Sequence, residues 1–202
     1  MRTTRQIVQT DPRVRRSFVE VHSQEGRVSG DIIIRRLNAG EAQQYIDFRA
    51  EALKQTPTAF TSTSAEEKAR PVTWAVDRIV NADHRDDFVL GAFASEVLVG
   101  IAGFGRPEQK QARHKGTLFG MAVAPDVAGR GVGRQLVEAL LGEARKIQGV
   151  TQVVLTVSEG NSVAERLYRS CGFREFGREP RAVIVDGVAI IKIHMVCMLD
   201  GY

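Results

Sequence analysis

The stretch best equipped for chemistry is Gly129-Arg130-Gly131-Val132-Gly133-Arg134, in which three glycines alternate with larger residues, two of them arginines. Upstream, Leu118, Phe119, Met121 and Val123 form an apolar run suited to a sheet interior. Pro125 ends that run, because proline has no N–H and turns its predecessor away from helix. Downstream, Val132, Leu136, Val137, Leu140, Leu141, Ala144 and Ile147 recur at helical spacing. A helix start carries unpaired N–H groups and partial positive charge, glycines let an anion approach that backbone, and arginines add mobile positive charge. Such a turn suits the holding of phosphate.

Two phosphate-binding patterns fail on the residues. No Gly-x-x-x-x-Gly-Lys-Ser/Thr run exists, which excludes a Walker-type loop. A dinucleotide fingerprint needs a glycine three residues after Gly133, where Leu136 stands, and Glu159 comes too late for the ribose-binding acid. What remains is a cradle for the diphosphate of coenzyme A.

Val123-Ala124-Pro125 followed by Gly129-Arg130-Gly131-Val132-Gly133-Arg134-Gln135-Leu136 resembles the acetyl-CoA-binding motif of the GNAT N-acetyltransferase superfamily, Arg/Gln-x-x-Gly-x-Gly/Ala. Further on, Asn161, Ala164, Leu167-Tyr168 and Gly172-Phe173 are similar to that family's second signature, Asn…Ala-x-x-Leu-Tyr-x-x-x-Gly-Phe. The resemblance extends from about Asp31 to the C-terminus, with one departure: Ala128 stands where the family carries Arg or Gln.

The resemblance implies an α/β (α+β) fold: a mixed, mostly antiparallel central sheet with one splayed parallel strand pair and flanking helices. It implies acetyl-CoA as co-substrate without a metal, and an N-acetyltransferase that moves the acetyl group to a primary amine by direct attack. Ala128, Gly129, Arg130, Gly131, Val132, Gly133 and Arg134 would then hold the diphosphate, with Arg130 or Arg134 supplying the charge that Ala128 lacks. Met121, Ala122 and Val123 would hold pantetheine and polarise the thioester carbonyl through their backbone, with Asn161 ordering the pantetheine or its own helix start. Tyr168 matches the family's general acid. A phenol of pKa about 10 stays protonated at neutral pH and can meet a departing thiolate of pKa about 8.5. Glu159, Glu51, His114 and ordered water all stand open as the base. The alternative is a non-catalytic acyl-CoA-binding or regulatory module on the same fold.

Other elements must position these groups. Asp31–Leu37 reads as a strand, and Asn38 with Glu41 resembles a capping box that starts a helix through about Gln55. In it, Ala42, Tyr45, Ile46, Arg49, Ala52 and Leu53 share a face. Pro57–Phe60 breaks the pattern, helix resumes at Ser64, and Pro71 precedes an amphipathic stretch with Trp74, Ile79 and Val80. In the resemblance this region overhangs the acceptor, making Arg49, Phe60 and Trp74 conceivable substrate contacts, although ordinary helix packing is the preferred reading. Residues 87–94 and 97–104 read as strands joined tightly at Ser95-Glu96, and 106–115 as an exposed loop. Gln152–Val157 is an apolar strand, Ser162 with Glu165 a second capping box, and Gly172-Phe173 a glycine-type helix stop. Asp186-Gly187 between apolar runs marks a hairpin that closes the chain, with His194 as a structural residue inside its strand.

The 202 residues, 43% hydrophobic and 26% charged, suit one globular domain and contain no apolar run of membrane length. Two cysteines, Cys171 and Cys197, make no disulfide framework, so a cytoplasmic location is expected. Residues 1–30 carry six arginines against three acids, a charge of +3, which leaves only +1 of the total +4 for residues 31–202. A basic N-terminal extension, flexible or loosely docked, is therefore expected ahead of the 31–202 domain, in preference to a nucleic-acid arm or transit peptide. The expected partner is an amine on a small molecule, a peptide N-terminus or a lysine, not nucleic acid or membrane. Edge strands at the C-terminus would allow a homodimer.

Overall fold

The computed structural model describes residues 31–80 and 86–199; the expected extension over residues 1–30 lies outside the described residues. Its strands are β1 (Ile32–Arg36), β2 (Phe88–Ala94), β3 (Val97–Gly105), β4 (Lys115–Val123), β5 (Gln152–Ser158), β6 (Arg174–Val185) and β7 (Val188–Met198). Its helices are α1 (Ala42–Gln55), α2 (Ser64–Lys68), α3 (Val72–Val80), α4 (Val132–Lys146) and α5 (Ser162–Ser170). The strands form a seven-stranded sheet in the order β1-β2-β3-β4-β5-β7-β6. Every neighbouring pair is antiparallel except β4–β5.

β2 is buried along its whole length because helices cover both faces of the sheet. Phe88, Leu90, Ala92 and Ala94 alternate onto the face packed by Leu136, Val137, Leu140 and Leu141 of α4. Val89 and Phe93 point the other way, with Leu98 and Ile101 of β3, against Tyr45 and Ile46 of α1 and Ile79 of α3. Such two-sided burial accounts for strands that read as continuous apolar runs.

Local signals hold in most places. Asn38 and Glu41 form a reciprocal capping box at a short 3-10 turn that leads into α1. The β2–β3 and β6–β7 turns place Ser95, Glu96, Asp186 and Gly187 at positive φ, the backbone of a two-residue hairpin. The expected box at Ser162 and Glu165 does not form. Asn161 is the N-cap instead, its side chain accepting from the Ala164 N–H at 3.2 Å, because an Asx oxygen reaches the N3 donor from one residue earlier. On the α1 face, Ala50 is buried where the sequence pattern favours Ala52. β6 begins at Arg174, well before the apolar run that reveals it, since its first half is polar and largely exposed. At the end of α5, Phe173 N donates to Tyr168 O at 3.0 Å and Gly172 N to Arg169 O at 3.1 Å, the paired bonds of a Schellman stop with Gly172 at φ +93°.

Candidate active site

The parallel pair sets the geometry. β4 and β5 pair only through Lys115–Gln152, Gly116–Val153 and Thr117–Val154; beyond that they separate, while β5 stays paired with β7 along its length. Both strands thus present a free edge of backbone N–H and C=O groups to the gap. On its other side β4 carries a bulge: Ile101 pairs with Ala122 and Gly103 with Phe119, so Gly120 and Met121 together oppose Ala102. The Ala124 N–H donates to Val99 O at 2.8 Å, toward β3. Strand alternation therefore turns the N–H of Val123, and two residues back that of Met121, into the gap.

Directly after β4 comes the glycine turn. Ala128 N donates to Pro125 O at 3.0 Å and Arg130 N to Val127 O at 3.3 Å, and the first helical bond of α4 is Gln135 N to Gly131 O at 3.0 Å. The N–H groups of Val132, Gly133 and Arg134 belong to the first turn and have no intrahelical partner. Gly129 and Gly131 have φ of +76° and +78°, and a Cβ at Gly129 would meet nothing within 4 Å. Space and donors coincide, so this turn fits a diphosphate. Gly133 has a different role: a Cβ there would lie 3.2 Å from both Leu167 and Met121, so it lets α4 close onto α5 and β4. Arg134 pairs with Glu138 at 2.8 Å and donates to Ser170 O at 3.1 Å, tying α4 to α5. Arg130 lies exposed on the turn.

α5 carries Asn161, Ala164 and Tyr168 to one wall of a cleft of about 370 Å³ that takes in the gap. Tyr168 is buried, stacks edge-on to Phe173 and donates to the Met121 thioether at 3.4 Å, so the phenol spans from α5 to the bulge of β4. Burial pushes its pKa well above the ordinary value and keeps the hydroxyl a neutral donor. Thioether sulfur is a weak acceptor, which leaves that donor free for a better partner.

The opposite wall comes from α1, the segments on either side of α2, α3, β5 and β7. Arg49, Phe60 and Trp74 all line the cleft, joined by Arg70, Arg78, Lys192 and His194. None of the three side chains entertained as base does: Glu159 pairs with Arg178, Glu51 accepts from Gln55 and His114 contacts Gln111 O. His194, read as structural in the sequence, faces the cleft and holds Glu179 at 3.0 Å. Sequence reasoning also passed over Glu67, fully buried against Arg49 at 2.8 Å, and Lys192, which donates to Ala59 O at 2.9 Å and Ser158 Oγ at 2.7 Å. A helix period shows Glu67 as one polar residue among several, and only the tertiary fold brings Arg49 over it.

A family model described as Acetyltransferase (GNAT) family matches residues 48–173. The [Ribosomal protein bS18]-alanine N-acetyltransferase of Escherichia coli (strain K12) is 46% identical over 59 residues, 29% of this chain and 39% of that protein. The N-alpha-acetyltransferase RimI of Mycobacterium tuberculosis is 38% identical over 102 residues, 48% of this chain and 59% of that protein. The chain spans less than two thirds of the length of these curated relatives. Among solved structures, that of yncA from Salmonella typhimurium with its cofactor acetyl-CoA superposes with a TM-score of 0.72 at 23% identity, over 86% of this chain and 96% of that one. That likeness is one of fold.

Proposed function

This chain belongs to the acetyltransferase (GNAT) family, and from that premise we propose that it transfers the acetyl group of acetyl-CoA to a primary amine of a small molecule or a peptide by direct attack. The observation that carries the reading is the gap between β4 and β5, with the glycine turn at the end of β4 and the Tyr168 hydroxyl against Met121 on its wall. The acetyl-CoA-bound neighbour of the same fold and the peptide N-terminal acetyltransferases among the relatives favour the same co-substrate and an amine acceptor.

Acetyl-CoA supplies an activated acetyl group on a thiol leaving group. In this reading the N–H groups of Gly129, Gly131, Val132, Gly133 and Arg134, with Ala128 and the charge of Arg130, hold the diphosphate. The backbone of Met121, Ala122 and Val123 aligns the pantetheine from one side and Asn161 from the other. The Met121 N–H faces the carbonyl oxygen; a donor aimed at charge that develops there is worth about 3 kcal/mol. His194 accepts the proton that the amine loses as its N–C bond forms, oriented through its other nitrogen by Glu179. Among the described residues lining the cleft it is the one suited to this: none of them is a carboxylate, and Lys192 spends its protons on Thr58 O, Ala59 O and Ser158 Oγ. Tyr168 gives its proton to sulfur as the C–S bond breaks, and regains one from water.

The test is calorimetric titration of acetyl-CoA, followed by release of free thiol across a panel of amines. Binding with turnover is expected. No heat on titration, or binding without turnover of any amine, would sink the proposal.

A further inference from the structure

The wall of the cleft opposite Tyr168 gathers cations far beyond what the chain as a whole requires. Residues 31–202 are nearly neutral, at +1, yet Arg49, Arg70, Arg78 and Lys192 all line this cleft and, among the described residues, no carboxylate does. Beneath them Glu67 is fully buried and shared: Arg49 binds it at 2.8 Å and Arg70 reaches only to 3.6 Å. Among the described residues, no carboxylate pairs with Arg78.

The arginines are held by their faces. The Arg70 guanidinium carbon stands 4.1 Å from the centre of the Trp74 ring, while that of Arg78 lies 4.0 Å from Phe119 and 5.3 Å from Trp74. Stacking fixes a guanidinium plane and leaves its N–H edges for a planar or tetrahedral oxyanion. The Nε of Arg70 points at Glu67 Oε2 from 3.6 Å, and the Nε of Arg78 is buried without a hydrogen-bond partner. Leaving a charged guanidinium short of partners costs free energy, which an anion bound against the Arg78 group offsets. The cluster also reaches the reacting centre. Arg49 turns Nε and Nη2 to Glu67 and sets Nη1 against Gly120, where a Cβ would come within 2.4 Å of it, one residue from Met121.

We infer that the acceptor is an amine that also carries an oxyanion group, a carboxylate or a phosphonate close to the amine, which the guanidinium edges of Arg70 and Arg78 bind beside Arg49. The inference rests on the acetyltransferase reading for calling this cleft the acceptor site, and it deepens that reading by excluding polyamines and cationic peptides as preferred substrates. The cluster selects for the anion by completing its own unmatched donors and repels a second positive charge on the acceptor.

The experiment compares matched pairs: amino acids against their carboxamides, and aminoalkyl phosphonates against amino acids to tell the two anions apart, with a polyamine and an Arg-rich peptide as opposing probes. Expected is a preference of about tenfold or more in kcat/KM for acid over amide, the scale of hydrogen bonds to a charged group. R78Q and R70Q should each lose most of that preference and keep the acetyl-CoA affinity and melting temperature. Binding is measured beside turnover, by calorimetry of N-acetyl acids against N-acetyl amides. Equal handling of acid and amide in both assays, preference for the polyamine or cationic peptide, or unchanged selectivity in both variants overturns the inference. Tight, acid-selective binding to protein that gives no heat with acetyl-CoA overturns the acetyltransferase reading and leaves the anion site standing.

Discussion

In the proposed reaction Tyr168 and His194 divide the proton chemistry, and their surroundings differ in a way that activity measurements can resolve. Y168F removes the donor and keeps the ring that packs on Phe173. It should lower kcat by about 100-fold, the usual weight of a positioned acid, with acetyl-CoA affinity unchanged by calorimetry. Because burial raises the Tyr168 pKa, the phenol should stay protonated well into alkaline solution, so loss of activity through its ionisation begins only above its ordinary pKa of about 10. H194Q should lower kcat by about 100-fold, the usual weight of a positioned base, with acetyl-CoA affinity unchanged by calorimetry; an unchanged kcat would remove His194 from the mechanism. The second signature made Tyr168 legible in the sequence, since Asn161, Ala164 and Tyr168 recur on one side of a helix. His194 was not legible, because a histidine in a strand looks the same whether its face meets a core or a cleft.

At the scale of elements, the site depends on how three segments meet: the glycine turn, the bulge of β4 and the start of α5. G131A places a Cβ at φ +78° and should destabilise the fold by about 1 kcal/mol. It should also weaken acetyl-CoA binding, with melting temperature and calorimetric affinity as the two measurements. The Arg49–Glu67 pair ties α1 to α2 in the interior. R49L leaves a fully buried carboxylate without its bidentate partner and should cost about 3–5 kcal/mol in urea unfolding. The strand before the glycine turn and the helix after it followed from hydrophobic period and from Pro125, and the splayed parallel pair from the family resemblance. The bulge did not, because Gly120 in an apolar run carries no mark of its φ of +60° until its partner strand is known. The first half of β6 escaped for another reason: an exposed edge segment rich in Arg and Glu has no inward face to reveal it.

Across the whole molecule, charge distribution governs response to acid. Arg35 holds Glu41 below the ordinary carboxylate range, and Lys146 with Arg36 does the same for Glu143, which bridges α4 to β1. A carboxyl whose folded pKa is depressed adds stability that is complete above its unfolded value of 4.5 and drains away as pH falls through the lower folded value. Thermal melts from about pH 6 to about pH 3 should therefore show a falling midpoint, with a shallower decline in E143Q. Composition disclosed the near-neutral balance of residues 31–202 but not its unevenness, because Arg49, Arg70, Arg78 and Lys192 are separated along the chain and meet only when the helices fold over the sheet.

One fastening joins the two sides of this architecture. Ser158 at the tip of β5 donates to Thr58 O, and Lys192 of β7 donates to Ser158 Oγ and to Thr58 O and Ala59 O, in the segment that leads from α1 to the rim at Phe60. The rim of the cleft at Phe60 is thereby buttoned to the very strand that forms the far bank of the β4–β5 gap. Widening the cleft there means breaking bonds to a buried ammonium or shifting β5 with it, so under the proposed function the entry of one substrate would be mechanically geared to the width of the slot for the other.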